Sequence, residues 1–180
     1  AGYDAAIGEY GLIGAGCWAH ARRPFDEVFK AAGLNPKKPI PKTKKIPAAV
    51  RKAAHALQRM KTLFAIEHRI REQPPDERRR VRQSESMPIV QKLRQWLDDT
   101  SPVVTPKSKL GQALGYLDNQ WPRLVVFLEH GEVEMTNNLA ENAIRPFAVG
   151  RKNWMFSDSQ AGARSSANLY SLLMTAKANG

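Results

Sequence analysis

The sequence predicts a mainly α-helical protein with a minor β component. Three observations carry that prediction. Apolar residues recur three and four apart through most of 46–128, the period of helices with one buried face. Only two short stretches, near 12–18 and 147–156, have the character of strands. Pro and Gly fall between the periodic segments rather than alternating through them.

The elements follow in order. Residues 1–16, AGYDAAIGEYGLIGAG, are small, Gly-rich and aromatic, with neither an initiator Met nor a capping signal. They read as the start of a chain cut from something longer. Residues 12–18 predict a short buried strand. HARRPFDEVFKAAG then predicts a helix, with Pro24 in an early turn, Val28 and Phe29 on one face and Gly33 at the end. Residues 34–47 hold four Pro and five Lys, a linker or surface arm.

From Ile46 to Gln73, the positions Val50, Ala53, Leu57, Met60, Phe64 and Ile70 predict a long amphipathic helix with a basic outer face. Pro74-Pro75 stops it. Asp76 and Glu77 open a second basic helix through Arg78–Arg82, broken or kinked near Pro88. Ile89, Leu93, Trp96 and Leu97 continue a helical face to Asp99, before a loop at Thr100–Pro106. Ser108 is positioned to cap the next helix, striped by Leu110, Leu114, Leu117, Trp121, Leu124 and Leu128. Pro122 marks a kink, and His130-Gly131 ends the stretch. Residues 132–136 read as extended. Asn137 or Asn138 caps a short helix from Leu139 to Arg145, closed by Pro146. A last helix runs from Ala161 to Ala178.

Composition narrows the function. Hydrophobic residues make up 42% of the 180, enough for a core. No apolar run approaches the roughly 18 residues of a membrane span. No segment resembles a signal peptide. A single Cys excludes a disulfide framework within the chain and fits a reducing compartment. The net charge of +11 makes a polyanion the first partner to consider. The charge is uneven: net −1 over residues 1–30, +12 over 31–110 and zero over 111–180. A charge run is often only a solvated face. Its concentration in one block favours phosphate contacts, which give affinity without base specificity.

Three constellations could carry chemistry. Cys17 and His20 form a CxxH, but a zinc site needs about four ligands, or three and a water, and no second Cys exists. A buried Cys with a hydrogen-bonded His is the plainer reading. In NNLAENAIRP, Glu141 and Arg145 lie four apart on one helical face, either as an exposed ion pair or as a metal-binding carboxylate beside a phosphate-binding cation. In GRKNWMFSDS, Arg151, Lys152, Asn153 and Trp154 interleave cations, an amide and an aromatic, which suits a nucleic-acid backbone and a stacked base as well as it suits a core edge.

The run NNLAENAIRPFAVGRKNWMFSDS, with GARSSANLYSLLMTAKANG after it, closely resembles the C-terminal signature of insertion sequence 66-type transposases. AGYDAA, GCWAHARRPFDEVF and KLGQALGYLDNQWPRL resemble the same family in the same order, so the resemblance spans nearly the whole chain. It implies a DDE enzyme of DNA transposition with a ribonuclease-H-like α/β core, two Asp and one Glu holding divalent ions, Mg²⁺ or Mn²⁺. Glu141 matches the family's Glu, at once catalytic and metal-binding. Cys17 and His20 match its Cys-x-x-His signature, with a supporting role in catalysis. The second Asp of the family would lie about three residues before Ala1 and the first further upstream, so the chain alone is expected to be inert.

The implied layout is the end of the core at 1–33, a basic helical insertion at 34–130, and the Glu141 helix with the C-terminal helix at 131–180. Arg78, Arg79, Arg80 and Arg82, with Arg145, Arg151, Lys152, Asn153 and Trp154, are the expected DNA contacts. Implied partners are transposon-end and target DNA and a second copy of the chain, with no membrane, in the cytoplasm of a bacterium at its nucleoid. A non-catalytic DNA-binding or subunit-assembly remnant is the alternative.

Overall fold

The computed structural model describes residues 11, 13–39, 46–138, 141–145, 149 and 159–179. The chain forms two compact units, Ala1–Thr136 and Asn137–Gly180. Both are helical, and no strand occurs among the described residues.

The first unit is built on α1 (Trp18–Ala31), α2 (Ala48–Ile70), α3 (Pro75–Val81), α4 (Met87–Thr100) and α5 (Lys109–Leu124). Helix α1 is amphipathic with Trp18, Ala21, Phe25, Val28 and Phe29 buried. Its end is fixed at Gly33, whose φ of 68° only a residue without a side chain adopts at low cost. That turn lets the Gly33 and Leu34 amides reach the carbonyls of Lys30 and Phe29, at 2.9 Å each. Pro24 sits inside the helix without breaking it.

Helix α2 is rich in Ala, Leu, Lys, Arg, Gln and Met, good helix formers, and buries Val50, Ala53, Ala56, Met60, Leu63, Ile66 and Ile70. The buried stripe is rotated slightly from the one that large residues alone suggest, leaving Leu57 and Phe64 half-buried against the core. Helices α1, α2 and α5 pack together, with α4 against α2. Helix α1, within the expected segment 1–33, shares one hydrophobic cluster with the helices of the expected segment 34–130. Trp18 lies at its centre, 0% exposed, donating from Nε1 to the Leu124 carbonyl at 2.8 Å and meeting Trp121 and Phe127 edge-on. Burying one such side chain stabilises by about 2–3 kcal/mol.

The break expected near Pro88 takes a different form. Between α3 and α4 the helix widens into a π turn, Arg82–Ser86, marked by the Met87 amide bonding to the Arg82 carbonyl. A proline ring collides with the carbonyl four residues before it, and widening the turn relieves this without ending the helix. After α4 a 3₁₀ turn, Ser101–Val103, leads to α5. Ser108 caps α5 as expected, its Oγ accepting from the Gly111 amide at 3.0 Å. Another 3₁₀ turn, Val126–Leu128, follows.

Two expected extended segments are corrected. Residues 13–17 are coil, not strand. The Gly16 amide bonds to the Arg123 carbonyl at 2.8 Å and the Trp18 amide to that of Met135 at 3.2 Å, so the segment is tied to α5 and to the 129–136 turns rather than to a sheet edge. Residues 132–136 are turns and bends. The expected strand at 147–156 lies outside the described residues except for 149, which is helical.

The second unit shows helical backbone at 138 and 141–145, and α6 (Gln160–Asn179). The Glu141 amide bonds to the Asn137 carbonyl at 2.9 Å, which fits a helix starting at the predicted asparagines. Ser159 accepts from the Gly162 amide at 3.1 Å and caps α6. Tyr170 donates to the Ala143 carbonyl at 2.9 Å, joining the two helical segments of this unit.

Candidate functional site

The expected site residues fall into three groups. Glu141 and Arg145 lie on the short helical stretch of the second unit, Glu141 half-buried and Arg145 exposed. Four residues apart, they share one face. Arg151, Lys152, Asn153 and Trp154 lie outside the described residues.

Cys17 and His20 open α1 in the first unit. Cys17 is a half-buried free thiol at the N-cap position, and its side chain caps nothing. His20, half-buried, lines a surface groove of 460 Å³ with Arg23, Pro24 and Glu27 of α1 and Lys109, Gln112 and Tyr116 of α5. Among the described residues no group of three or more His, Cys, Asp or Glu is placed to hold a metal ion. A zinc site at Cys17 and His20 therefore has no further ligands there. The described residues by themselves also do not fit a divalent-ion centre.

The arginine run 78–82 departs most from expectation. Arg82 is not on the surface: it is 0% exposed. Its Nε and Nη2 donate to the two Glu67 carboxylate oxygens at 2.9 and 2.6 Å, a bidentate pair. Its Nη1 donates to the carbonyls of Phe127 and His130 at 3.0 and 2.9 Å, and to that of Gly131 at 3.4 Å. The guanidinium also lies 5.2 Å from the Phe127 ring centre. Arg78 is buried too, donating to Glu134 at 2.9 Å with Glu67 4.0 Å away. Neither side chain can reach a phosphate in this structure. Arg79 and Arg80 are exposed but face Glu129 at 3.6 Å and Glu77 at 2.5 Å. The Arg80 pair draws the Glu77 carboxyl below its ordinary range.

The run is thus an internal clamp. It ties α3 and the π turn to α2 and to the 127–134 segment. Sequence reasoning missed Glu67, its central acceptor. A signal was present: Glu67 is the only acidic residue between Ile46 and Arg71, on a helix otherwise rich in cations. Arg94 is similarly occupied, hydrogen-bonded to Asp98 and, at 2.7 Å, to Asp118, and stacked 5.1 Å from the Trp121 ring centre.

No helix among the described residues is long and apolar enough to cross a membrane. Residues 1–165 match the transposase IS66 family, and the chain belongs to that family. It is similar to three uncharacterized proteins of Sinorhizobium fredii (strain NBRC 101917 / NGR234). Protein y4hP is 34% identical over 91% of this chain and 29% of its own length. Protein y4qI is 32% identical over 92% and 28%, and y4jD 31% over 91% and 29%. The chain therefore spans under a third of the length of these relatives. No solved structure matches it.

Proposed function

We propose that this chain is part of the catalytic region of a DDE transposase, contributing Glu141 to divalent-ion-dependent DNA strand cleavage and transfer. The observation that carries this reading is the family match across residues 1–165, which includes the whole Asn137–Ser159 run around Glu141. The helical backbone at 141–145 supports it, because a helix gives a carboxylate a fixed direction. Arg145, Arg151, Lys152, Asn153 and Trp154, close in sequence to Glu141, are the proposed DNA contacts of this region. Cys17 and His20 are proposed to support the site from the start of α1. The reading includes a ribonuclease-H-like core in the whole protein, with transposon-end and target DNA as partners and a homo-oligomer as the working assembly.

The remaining ligands, the two Asp that the family resemblance implies, are proposed to come from elsewhere in the whole protein. The 180-residue chain alone is then inert, while the whole protein cleaves supercoiled DNA in Mg²⁺ or Mn²⁺. Glu141-dependent cleavage by the 180-residue chain alone would overturn this division of the site.

A further inference from the structure

The pairing of Arg78–Arg82 leaves open where the first unit's uncompensated positive charge acts. Arg23 of α1 and Lys109 of α5 have no ion-pair partner among the described residues, and both are exposed. Both line the groove that His20 also lines. On α1 the lining positions 20, 23, 24 and 27 are three and four apart, so they form one stripe. On α5 the positions 109, 112 and 116 do the same. Glu27 is the acidic residue of the lining, and Lys30 holds it at 2.6 Å, so its charge is already offset. Tyr116 is 39% exposed, so part of its ring is open to a ligand in the groove. A cationic groove with an accessible ring is the arrangement that holds an unpaired nucleic-acid strand: cations on the backbone and an aromatic under a base or sugar. Its 460 Å³ suits one or two nucleotides, not a duplex.

We infer that the groove between α1 and α5 seats a single DNA strand, with Arg23 and Lys109 on successive phosphates and Tyr116 stacked on the strand. The inference rests on the transposase reading for the identity of the polyanion, since strand cleavage and transfer expose single-stranded DNA. It assigns residues that sequence reasoning did not select.

The test measures binding of a fluorescein-labelled oligothymidylate to the 180-residue chain by anisotropy across a salt series. Removing two phosphate contacts from a single strand should lower the slope of log affinity against log salt by about 1.4, at about 0.7 per contact. R23A/K109A is expected to show that drop, and Tyr116→Ala to weaken binding at least about fivefold. Lys92→Ala, an exposed cation on α4 outside the groove, controls for general charge, and circular dichroism confirms that each variant folds. Wild-type binding that neither R23A/K109A nor Tyr116→Ala changes would overturn the inference and leave the transposase reading intact. So would tighter binding to a blunt duplex with no effect of Tyr116→Ala. Absence of binding at low salt would overturn it too, while cleavage by the whole protein tests the transposase reading separately.

Discussion

Arg82→Ala is the substitution whose cost the structure fixes best. It removes a fully buried guanidinium and leaves Glu67, with a side chain only 11% exposed, as a carboxylate without its bidentate partner. It also strips a donor from the carbonyls of Phe127, His130 and Gly131. Arg78, 4.0 Å from Glu67, compensates only in part. Breaking one side of a buried pair costs about 3–5 kcal/mol, because the other charge stays desolvated. For a unit of this size each kcal/mol is roughly 2–4 °C, so the melting temperature should fall by about 6–20 °C. Urea unfolding followed by tryptophan fluorescence reads this directly, because Trp18, Trp96 and Trp121 all lie in the first unit. The pair Arg82→Met with Glu67→Leu should recover much of the loss, since apolar replacement of both partners removes the stranded charge. A loss under about 1 kcal/mol, or a double variant as unstable as the sum of the singles, would refute the clamp.

Further expectations follow from the same geometry. Gly131→Ala should destabilise by at least about 1–3 kcal/mol in the same urea assay, because a Cβ there would fall 1.8 Å from the Pro75 carbonyl oxygen, which is backbone and cannot swing away. Arg79→Ala and Arg80→Ala should change stability by under about 0.5 kcal/mol, and a larger loss would show that their exposed pairs hold more than surface ion pairs do. Burial, and to a lesser degree Arg59, lowers the His55 pKa from 6.5, where the ring stacks on Trp96 and its Nε2 lacks a partner. The unfolded chain then binds that proton first, so stability should decline as pH falls below 6.5 toward the lower folded value. His55→Phe should flatten that part of the pH–stability curve, and an unchanged slope would exclude His55 as its source.

The helices were legible because their apolar periods are long and their punctuation is strong. Ser108 shows this: a hydroxyl just before an apolar stripe caps α5 as predicted. Ser159 caps α6 by the same bond, and the helix begins at Gln160, one residue before the expected Ala161. The strand expected at 12–18 misled because small apolar residues suit a tight connection as well as a sheet. Gly16 lies close against α5, bonded to the Arg123 carbonyl, where a Cβ would sit only 3.0 Å from the backbone of Arg123 and Leu124.

The arginine run was the least legible feature. Arg78, Arg79, Arg80 and Arg82 look alike in sequence; Arg78 and Arg82, four apart, share the buried face, but only the packing of that face against Glu67 and the 127–134 segment shows that it turns inward. The Glu141 segment was recognisable from its motif, and the helical backbone at 141–145 from the asparagines that precede it. The groove was not, because His20 and Arg23 lie far in sequence from Lys109 and Tyr116, and only the packing of α1 on α5 brings them together.

The most direct test of the account is Glu141→Gln in the whole protein, assayed for Mg²⁺-dependent nicking and strand transfer on supercoiled DNA carrying the transposon ends. Cleavage is expected to fall to background while DNA affinity and the unfolding midpoint stay near wild type. Cleavage at the wild-type rate by Glu141→Gln would contradict it.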